Sequence, residues 1–235
     1  MSTVARIADR ALQGLRVLLP QCCVLCRAPS GTRLLCAPCR NGLPTLGDAC
    51  PRCALPSPQG AVCGECLRRP PPWTAAVAAW RYAFPVDRLL QGLKYGGRVA
   101  WAEPLADGLR EAVVASRVVR PQCIVALPLA PARQRERGFN QAHVIAAPLA
   151  RALRVPVARG LSRIRDGSPQ AALELGRRAA NVKDAFAGSP ALAGLRIAIV
   201  DDVMTTGATL DAATQAALRA GAVEVQVYAV ARTLP

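Results

Sequence analysis

Two adjacent carboxylates stand at the end of an apolar run in the segment IAIVDDVMTTGATL, residues 197–210. A buried strand over the run would carry Asp201 and Asp202 to its carboxyl end, where open α/β sheets bind their ligands. The small residues that follow allow backbone N–H groups to approach an anion, and the N-terminus of a following helix favours negative charge. The segment therefore predicts a sugar-phosphate site, with acids for the sugar hydroxyls and loop amides for the phosphate.

Two other interpretations of this segment can be weighed. Thr205 or Thr206 could simply cap the following helix, but that leaves the paired acids without a role. The apolar run and the acids also resemble the second motif of nucleotide triphosphatases, which requires a phosphate loop ending in Gly-Lys. The sequence contains no Gly-Lys pair, so it argues against that class of enzyme.

Eight of the ten cysteines form a tandem repeat, in which a constant interval separates each cysteine of the first copy from its counterpart in the second. Both copies have the spacing C-x2-C-x9-C-x2-C, and their members are Cys23, Cys26, Cys36 and Cys39, followed by Cys50, Cys53, Cys63 and Cys66. Paired knuckles of this kind complete a tetrahedral site with four thiolates, which suits a structural zinc ion. We therefore expect two structural zinc sites.

A disulfide framework is the alternative for such cysteines, but it belongs to secreted proteins. The first residues mix apolar and charged positions and lack the unbroken apolar stretch of an export signal. The repeat selects Cys23 rather than Cys22 as the ligand, which leaves Cys22 as a bystander or a substitute ligand. Cys123 stands alone in an apolar segment and is expected to be a buried thiol.

The formal net charge is +15, from 30 basic and 15 acidic residues, and it favours polyanionic partners. We expect no membrane span, because no run approaches the roughly 18 apolar residues that a spanning helix needs. Residues 1–20 are predicted to form a helix that docks on the protein, with a membrane-surface helix as the alternative. The expected location is the cytoplasm.

Beyond the prolines at 70–72, strand-like and helix-like segments alternate along the chain. Strands are expected in AAVAAWRY, CIVALPL, LRIAIVDD and EVQVYAVA. Helices are expected in VDRLLQGLKY, AEPLADGLREAVVASRV, NQAHVIAAPLARAL and ATLDAATQAALRAGA. This alternation predicts an α/β fold, a mostly parallel sheet flanked by helices, preceded by the small cysteine-rich region.

The segment at 197–210 resembles the phosphoribosyl-pyrophosphate (PRPP) motif of type I phosphoribosyltransferases. The resemblance implies that Asp201 and Asp202 meet the ribose hydroxyls and serve as the catalytic acids. It also implies a PRPP site with Mg2+, formed by Asp201, Asp202, Val203, Met204, Thr205, Thr206, Gly207, Ala208 and Thr209. By the same resemblance the pyrophosphate loop comprises Leu127, Pro128, Leu129, Arg133, Arg135 and Arg137.

Three further segments, LKYGG, RERGFNQA and SPQAALELGRRAANVKDAF, together with the repeated cysteines, resemble the ComF family of competence-associated proteins. After the predicted helix over 1–20, this resemblance implies a double zinc ribbon over 21–69 and a phosphoribosyltransferase-like domain over 73–235. It also implies a role in DNA uptake and utilisation, with single-stranded DNA, PRPP or a related phosphate ligand, and other competence or DNA-processing proteins as partners.

The chain departs from established transferases in two places. Purine-salvage relatives carry an acid where Thr205 stands, and a threonine cannot accept the proton of a purine base. The orotate enzyme depends on a loop lysine, whereas residues 133–165 contain only arginines as basic residues. Whether the chain is an enzyme is therefore open. The alternatives to DNA binding are a phosphoribosyltransferase with an unidentified acceptor and a PRPP-sensing regulator.

The candidate DNA contacts lie in a basic part of the chain. Residues 133–184 hold 11 basic and four acidic side chains, a net charge of +7. Single-strand binders combine such a basic surface with stacking aromatics, and several aromatics precede this segment. The predicted DNA contacts are Lys94, Arg133, Arg135, Arg137, Arg177 and Arg178.

Overall fold

The computed structural model describes residues 21–164 and 185–235, which fall into two compact units, one up to Leu43 and one from Pro44 onward. The predicted N-terminal helix and the predicted DNA contacts Arg177 and Arg178 lie outside the described residues. No helix within the described ranges is long and apolar enough to cross a membrane.

The first unit is a small metal-ribbon module. It contains the antiparallel strands β1 (Gln21–Cys22) and β2 (Pro29–Gly31), and the short helix α1 (Ala37–Asn41). Between the strands the chain turns at Arg27, whose φ of 63° is left-handed. The turn brings Cys23 and Cys26 onto one side of the chain, as a metal knuckle requires.

The second unit begins with the other copy of this module. A 3-10 turn (Pro58–Gly60) and helix α2 (Gly64–Arg68) follow a knuckle that turns at Ala54, with φ of 56°. In both copies the turning residue directly follows the second cysteine, and the helix begins directly after the third. The repeat therefore extends from the sequence to the backbone.

A four-stranded parallel sheet forms the centre of the second unit. Its strands are β3 (Ala75–Arg81), β4 (Cys123–Ala126), β7 (Arg196–Met204) and β8 (Glu224–Arg232), in the spatial order β3-β8-β7-β4. The predicted strands and the parallel α/β class are confirmed. The final strand lies between β3 and β7, and all but one of its residues are buried.

The helices that accompany this sheet are α3 (Val86–Tyr95), α4 (Ala102–Ala115), α5 (Pro131–Arg137), α6 (Gln141–Ala152) and α7 (Ala208–Arg219). A 3-10 turn (Val99–Trp101) leads into α4, and another (Pro190–Leu192) precedes β7. Strands β5 (Leu161–Arg163) and β6 (Phe186–Gly188) form a separate antiparallel pair. Helices α3, α4, α6 and α7 each bury an apolar face, which explains their helical periodicity.

Two differences from the predicted elements bear on the site. The predicted strand LRIAIVDD continues to Met204, so the acids belong to the last part of β7. The arginines expected in the pyrophosphate loop lie instead on helix α5, which Pro131 begins and Gly138 ends with φ of 75°. Proline suits the first helical position and glycine suits the left-handed position after a helix, so the two residues delimit this short helix.

Candidate functional site

The eight repeated cysteines form two clusters in the described structure. Within each cluster all four sulfur atoms lie within 4.8 Å of one another, and the members are Cys23, Cys26, Cys36 and Cys39, and Cys50, Cys53, Cys63 and Cys66. Cys22 is exposed and outside the first cluster, and Cys123 is buried in the sheet, as the sequence predicted.

The donor sets fit zinc. Burial works to raise the pKa of Cys50, but the backbone N–H groups of Cys63 and Arg52 donate to its sulfur and bring the pKa down to about 7. Burial and the neighbouring sulfurs raise the pKa of Cys66. Such thiols can all be ionised only beside a cation, and four thiolates at these distances provide a closed tetrahedral set.

Asp201 and Asp202 lie in the part of β7 that approaches its carboxyl end, and both are half-buried. The backbone N–H of Asp202 donates to Asp201 Oδ1 over 2.8 Å. Lys94 Nζ, from the last turn of α3, forms an ion pair of 2.8 Å with Asp202 Oδ2, and the two side chains are 20% and 13% exposed. The paired acids thus lie beside the ammonium group of Lys94.

The two carboxyl groups have different environments. Burial raises the pKa of Asp201 to about 8, and the negative charge of Asp202 adds to this effect. Lys94 and the N–H of Asp202 oppose the increase. Asp202 holds the direct ion pair with Lys94. Asp201 can therefore exchange a proton near neutral pH, while Asp202 is held beside a cation.

The loop after β7 is short and closely packed. Met204 is buried, Thr205 and Thr206 are exposed, and Thr206 Oγ1 accepts a hydrogen bond of 3.3 Å from the N–H of Ala208. Gly207 has φ of 83°, and a side chain there would approach Trp73 Cη2 to 3.2 Å. Only glycine fits this position without strain, and helix α7 begins at the next residue.

The segment after β4 lies beside these acids. The N–H of Leu127 donates to the carbonyl of Val200, the residue before Asp201, over 2.9 Å. Asn140 Nδ2 donates to the Leu127 carbonyl over 3.0 Å, while Asn140 Oδ1 accepts from the N–H of Ala142 at the start of α6. Asn140 therefore fixes the predicted pyrophosphate segment against the start of α6.

The three arginines of α5 have different environments. Arg133 and Arg135 are exposed, whereas Arg137 is half-buried. Arg137 donates to Gln141 Oε1 over 3.1 Å and to Tyr95 Oη over 3.3 Å, and its guanidinium carbon lies 5.0 Å from the Tyr95 ring centre. Arg137 Nε and Gln141 Nε2 are buried and have no hydrogen-bond partner among the described residues.

A continuous series of contacts therefore joins the acids to the basic helix. Asp202 pairs with Lys94, the adjacent Tyr95 contacts Arg137, and Arg137 belongs to α5. Tyr95 is 71% exposed, so its ring is available to solvent beside a cation. The structure brings together LKYGG and RERGFNQA, two of the segments that carried the family resemblance, near the paired acids.

Sequence reasoning missed one residue of this region. Arg232, at the end of β8, is 5% exposed, and its guanidinium Nε donates to the carbonyl of Cys53 over 2.9 Å. Its Nη1 donates to the carbonyls of Met204, Thr205 and Thr233. A basic residue at the end of an apolar strand could have indicated a functional or structural role for Arg232, but nothing local in the sequence identified its partners.

Comparison with known proteins matches both parts of the chain. Residues 14–67 match the double zinc ribbon domain, and residues 140–234 match the phosphoribosyl transferase domain. The DNA utilization protein YhgH of Salmonella typhimurium is 36% identical over 224 residues, which are 92% of this chain and 99% of the relative.

Two competence proteins are also similar. Competence protein F of Haemophilus influenzae is 32% identical over 178 residues, covering 72% of this chain and 78% of its own length. Competence protein ComFC of Bacillus subtilis is 26% identical over 198 residues, covering 80% of this chain and 79% of its own length. With its double zinc ribbon, its phosphoribosyl transferase domain and these relatives, the chain belongs to the ComF family.

Proposed function

We propose that the chain acts in competence and DNA utilisation by binding single-stranded DNA, and that it carries a ribose-phosphate site of the PRPP type. The observation that carries the proposal is the series of contacts from Asp202 through Lys94 and Tyr95 to Arg137. It connects a carboxylate suited to a sugar with a helix whose arginines are suited to phosphates. The names of the relatives, a DNA utilization protein and competence proteins, support the same role.

The sugar-phosphate half of the proposal rests on the loop after β7. The carboxylates of Asp201 and Asp202 would accept hydrogen bonds from ribose hydroxyls, and residues 203–209 would surround the 5-phosphate. Mg2+ bound with PRPP would neutralise the pyrophosphate, and oxygen ligands suit that cation. The backbone amides at the start of α7 add a partial positive charge for the phosphate.

The DNA half rests on exposed cations and an exposed ring. Arg133 and Arg135 extend from α5 without burial, and Tyr95 offers a stacking surface beside Arg137. Phosphate contacts bind without regard to sequence, and stacking tolerates any base. Lys94 is committed to Asp202 in this state, so its predicted DNA contact requires exchange of one partner for another.

Salt-dependent binding tests the DNA half. Each neutralised phosphate on a single strand contributes about −0.7 to the slope of log K against log salt. Replacing Arg133 and Arg135 with Ala should flatten the slope by about 1.4 for every sequence alike. Fluorescence anisotropy with labelled oligonucleotides across a salt series measures this change.

The matched control is Arg117→Ala with Arg196→Ala. Both arginines are exposed. Arg196 lies at the amino end of β7, whereas the paired acids lie toward its carboxyl end. The control removes the same charge and should leave the slope within about 0.3. An equal change of the slope in both double variants would show that net charge, and not the position of Arg133 and Arg135, determines DNA binding. If no DNA binds at low salt, the DNA half of the proposal is wrong.

A working transferase is the second candidate, and the raised pKa of Asp201 favours it. A carboxyl group that exchanges its proton near neutral pH is suited to general acid-base catalysis. Release of pyrophosphate from PRPP with Mg2+, stimulated by an added acceptor and lost in Asp201→Asn, would support this candidate. Unchanged release in that variant would contradict it.

A further inference from the structure

A buried arginine joins the second cysteine cluster to the loop after β7. Arg232 is 5% exposed and donates on one side to the carbonyl of Cys53, a member of the cluster, over 2.9 Å. On the other side it donates to the carbonyl of Met204 over 3.0 Å and to the carbonyl of Thr205. One rigid, planar group thus holds two segments that are about 150 residues apart in the sequence.

A buried tryptophan makes a second connection between the same two regions. Trp73 Nε1 donates to the carbonyl of Arg52, inside the second knuckle, over 2.6 Å. The Arg52 guanidinium donates back to the carbonyls of Trp73 and Thr74 over 2.9 and 3.0 Å. The other end of the Trp73 ring lies against Gly207, where it fills the space that a side chain would need.

The charges of these groups are complementary. Four thiolates on one divalent zinc ion carry a net charge of −2. No carboxylate within the described ranges forms an ion pair with Arg232. Cys53, whose carbonyl accepts a hydrogen bond from Arg232, is a member of this negatively charged group.

We propose that the second cluster positions the loop after β7 through Arg232 and Trp73. Metal binding at the second cluster (Cys50, Cys53, Cys63 and Cys66) and anion binding at residues 204–208 are then coupled. Arg232 is a positioning residue in this scheme, because it holds the loop carbonyls and touches no reacting atom. The anion half rests on the proposed function, whereas the link between metal and loop does not.

Coupling of this kind is reciprocal. If metal in the second cluster orders the loop, then an ordered loop must tighten the binding of that metal by the same free energy. Both directions can be measured without any phosphate ligand. This separates failure of the coupling from failure of the proposed function.

The first experiment compares equivalent cysteines of the two clusters. Cys36→Ser and Cys63→Ser remove the third ligand of the first and of the second cluster, at matching positions of the repeat. Hydrogen exchange of the full-length chain should show the amides of residues 204–208 losing protection at least tenfold in Cys63→Ser only. Amides of α4 report whether the sheet domain is still folded. Equal loss in both variants, or in neither, would overturn the coupling.

The second experiment uses variants that keep all eight cysteines. Arg232→Met removes the guanidinium N–H donors. Arg232→Lys keeps the positive charge but lacks the planar guanidinium group that reaches several carbonyls at once. Arg232→Met removes the charged hydrogen bond to the Cys53 carbonyl, so it should speed zinc release to a colorimetric chelator about tenfold or more. The acceleration should affect one of the two zinc ions, and Arg232→Lys should recover part of it. Acceleration of both ions, or of neither, would contradict the proposal.

The third measurement concerns the anion. Calorimetry with PRPP and Mg2+ should give weaker binding in Arg232→Met and in Trp73→Phe, which keeps a ring but loses the indole N–H. Unchanged PRPP affinity in both variants would refute the anion half of the coupling. If the unmodified chain does not bind PRPP, the proposed ribose-phosphate site fails, and zinc release and hydrogen exchange still decide the link between metal and loop.

Discussion

The two cysteine clusters have one local design and different surroundings. In both copies the backbone N–H at the first cysteine donates to the carbonyl five residues later over 2.8 Å, and a non-glycine residue turns the knuckle with positive φ. At that turn the first copy has Arg27, which is exposed, and the second has Ala54, which is 2% exposed. The second knuckle also accepts hydrogen bonds from β3 and from Arg232 of β8, and its Arg52 donates to the carbonyl of Trp73, just before β3.

The two copies of a repeated metal module can therefore have different structural roles while keeping the same ligands. The spacing of the cysteines fixes the metal geometry, and the residues between the cysteines decide what the module packs against. In the second copy those residues are part of the unit that contains the paired acids. The first copy belongs to a separate compact unit.

The largest expected difference between the copies follows from removing the buried first ligand of each. Cys23→Ser and Cys50→Ser should each leave one of two zinc ions, measured by elemental analysis. Only Cys50→Ser should destabilise the second unit, by more than about 4 kcal/mol, because metal loss is among the few single changes of that size.

Urea unfolding followed by tryptophan fluorescence measures this difference, since Trp73, Trp80 and Trp101 all lie in the second unit. A similar loss of unfolding free energy in both variants would remove the distinction between the clusters. A zinc content near zero in the unmodified chain, with oxidised thiols, would contradict the metal assignment itself.

Next in size is the effect of neutralising the acids. Asp201→Asn with Asp202→Asn should weaken PRPP binding more than about a hundredfold, because the charge of Asp202 and the titratable carboxyl group of Asp201 are both lost. Both zinc ions should stay bound, which would separate the ligand site from the metal sites. Calorimetry with PRPP and Mg2+ measures the affinity, with Asp87→Asn at the start of α3 as the control. Unchanged affinity in the double variant would contradict the assignment of these acids.

A smaller effect concerns pH. The pKa of Asp201 is raised to about 8, above its ordinary value, so the folded state keeps a proton that the unfolded state has already released. Stability should therefore fall as pH rises from about 4 to about 8, at no more than about 1.4 kcal/mol per pH unit from this group. Asp201→Asn should flatten the curve.

Lys94→Met sharpens the pH test. The charge of Lys94 lowers the pKa of Asp201, so its removal should extend the decline to higher pH. Urea midpoints across a pH series provide the measurement. A curve for Asp201→Asn as steep as that of the unmodified chain would assign the pH dependence to another group.

The smallest effect compares the two knuckle turns. Arg27→Gly should stabilise the first module by roughly 1 kcal/mol, because glycine adopts positive φ without the cost of a side chain. Ala54→Gly gains the same backbone relief but loses a buried methyl group worth about 0.8 kcal/mol, so it should be nearly neutral. Zinc competition with a chelator measures both. Equal gains in the two copies would indicate that burial at this turn does not matter.

Local patterns predicted much of the fold. The cysteine repeat, the apolar run before Asp201 and the helical periodicity of residues 86–95 depend on neighbours within a few turns, and all three correspond to elements of the structure. The family resemblance is likewise confirmed by the domain matches and the relatives. The division into residues 1–20, 21–69 and 73–235 stays a prediction, as does the assignment of the ligand residues.

What the sequence did not reveal depends on distant pairs. Lys94 was predicted to contact DNA because it is basic and lies among aromatic residues, and its ion pair with Asp202 spans 108 positions. Arg232 and Cys53 are 179 residues apart. Such partners follow from the order of strands in the sheet, which no local periodicity encodes. The basic run from Arg133 was expected in the pyrophosphate loop by resemblance, whereas Pro131 and Gly138 delimit a short helix there.

The central position of the final strand has a consequence for how the chain is made. Strand β8 is hydrogen-bonded to both β3 and β7, so the sheet cannot close until the ribosome has released residues 224–232. The first cysteine module is complete by Leu43 and can fold early in synthesis, since chains fold from their N-terminus as they emerge. The second module must wait for Arg232, which is made long after its last cysteine, before its surroundings are complete. Translation therefore orders the assembly of two otherwise equivalent metal sites in time.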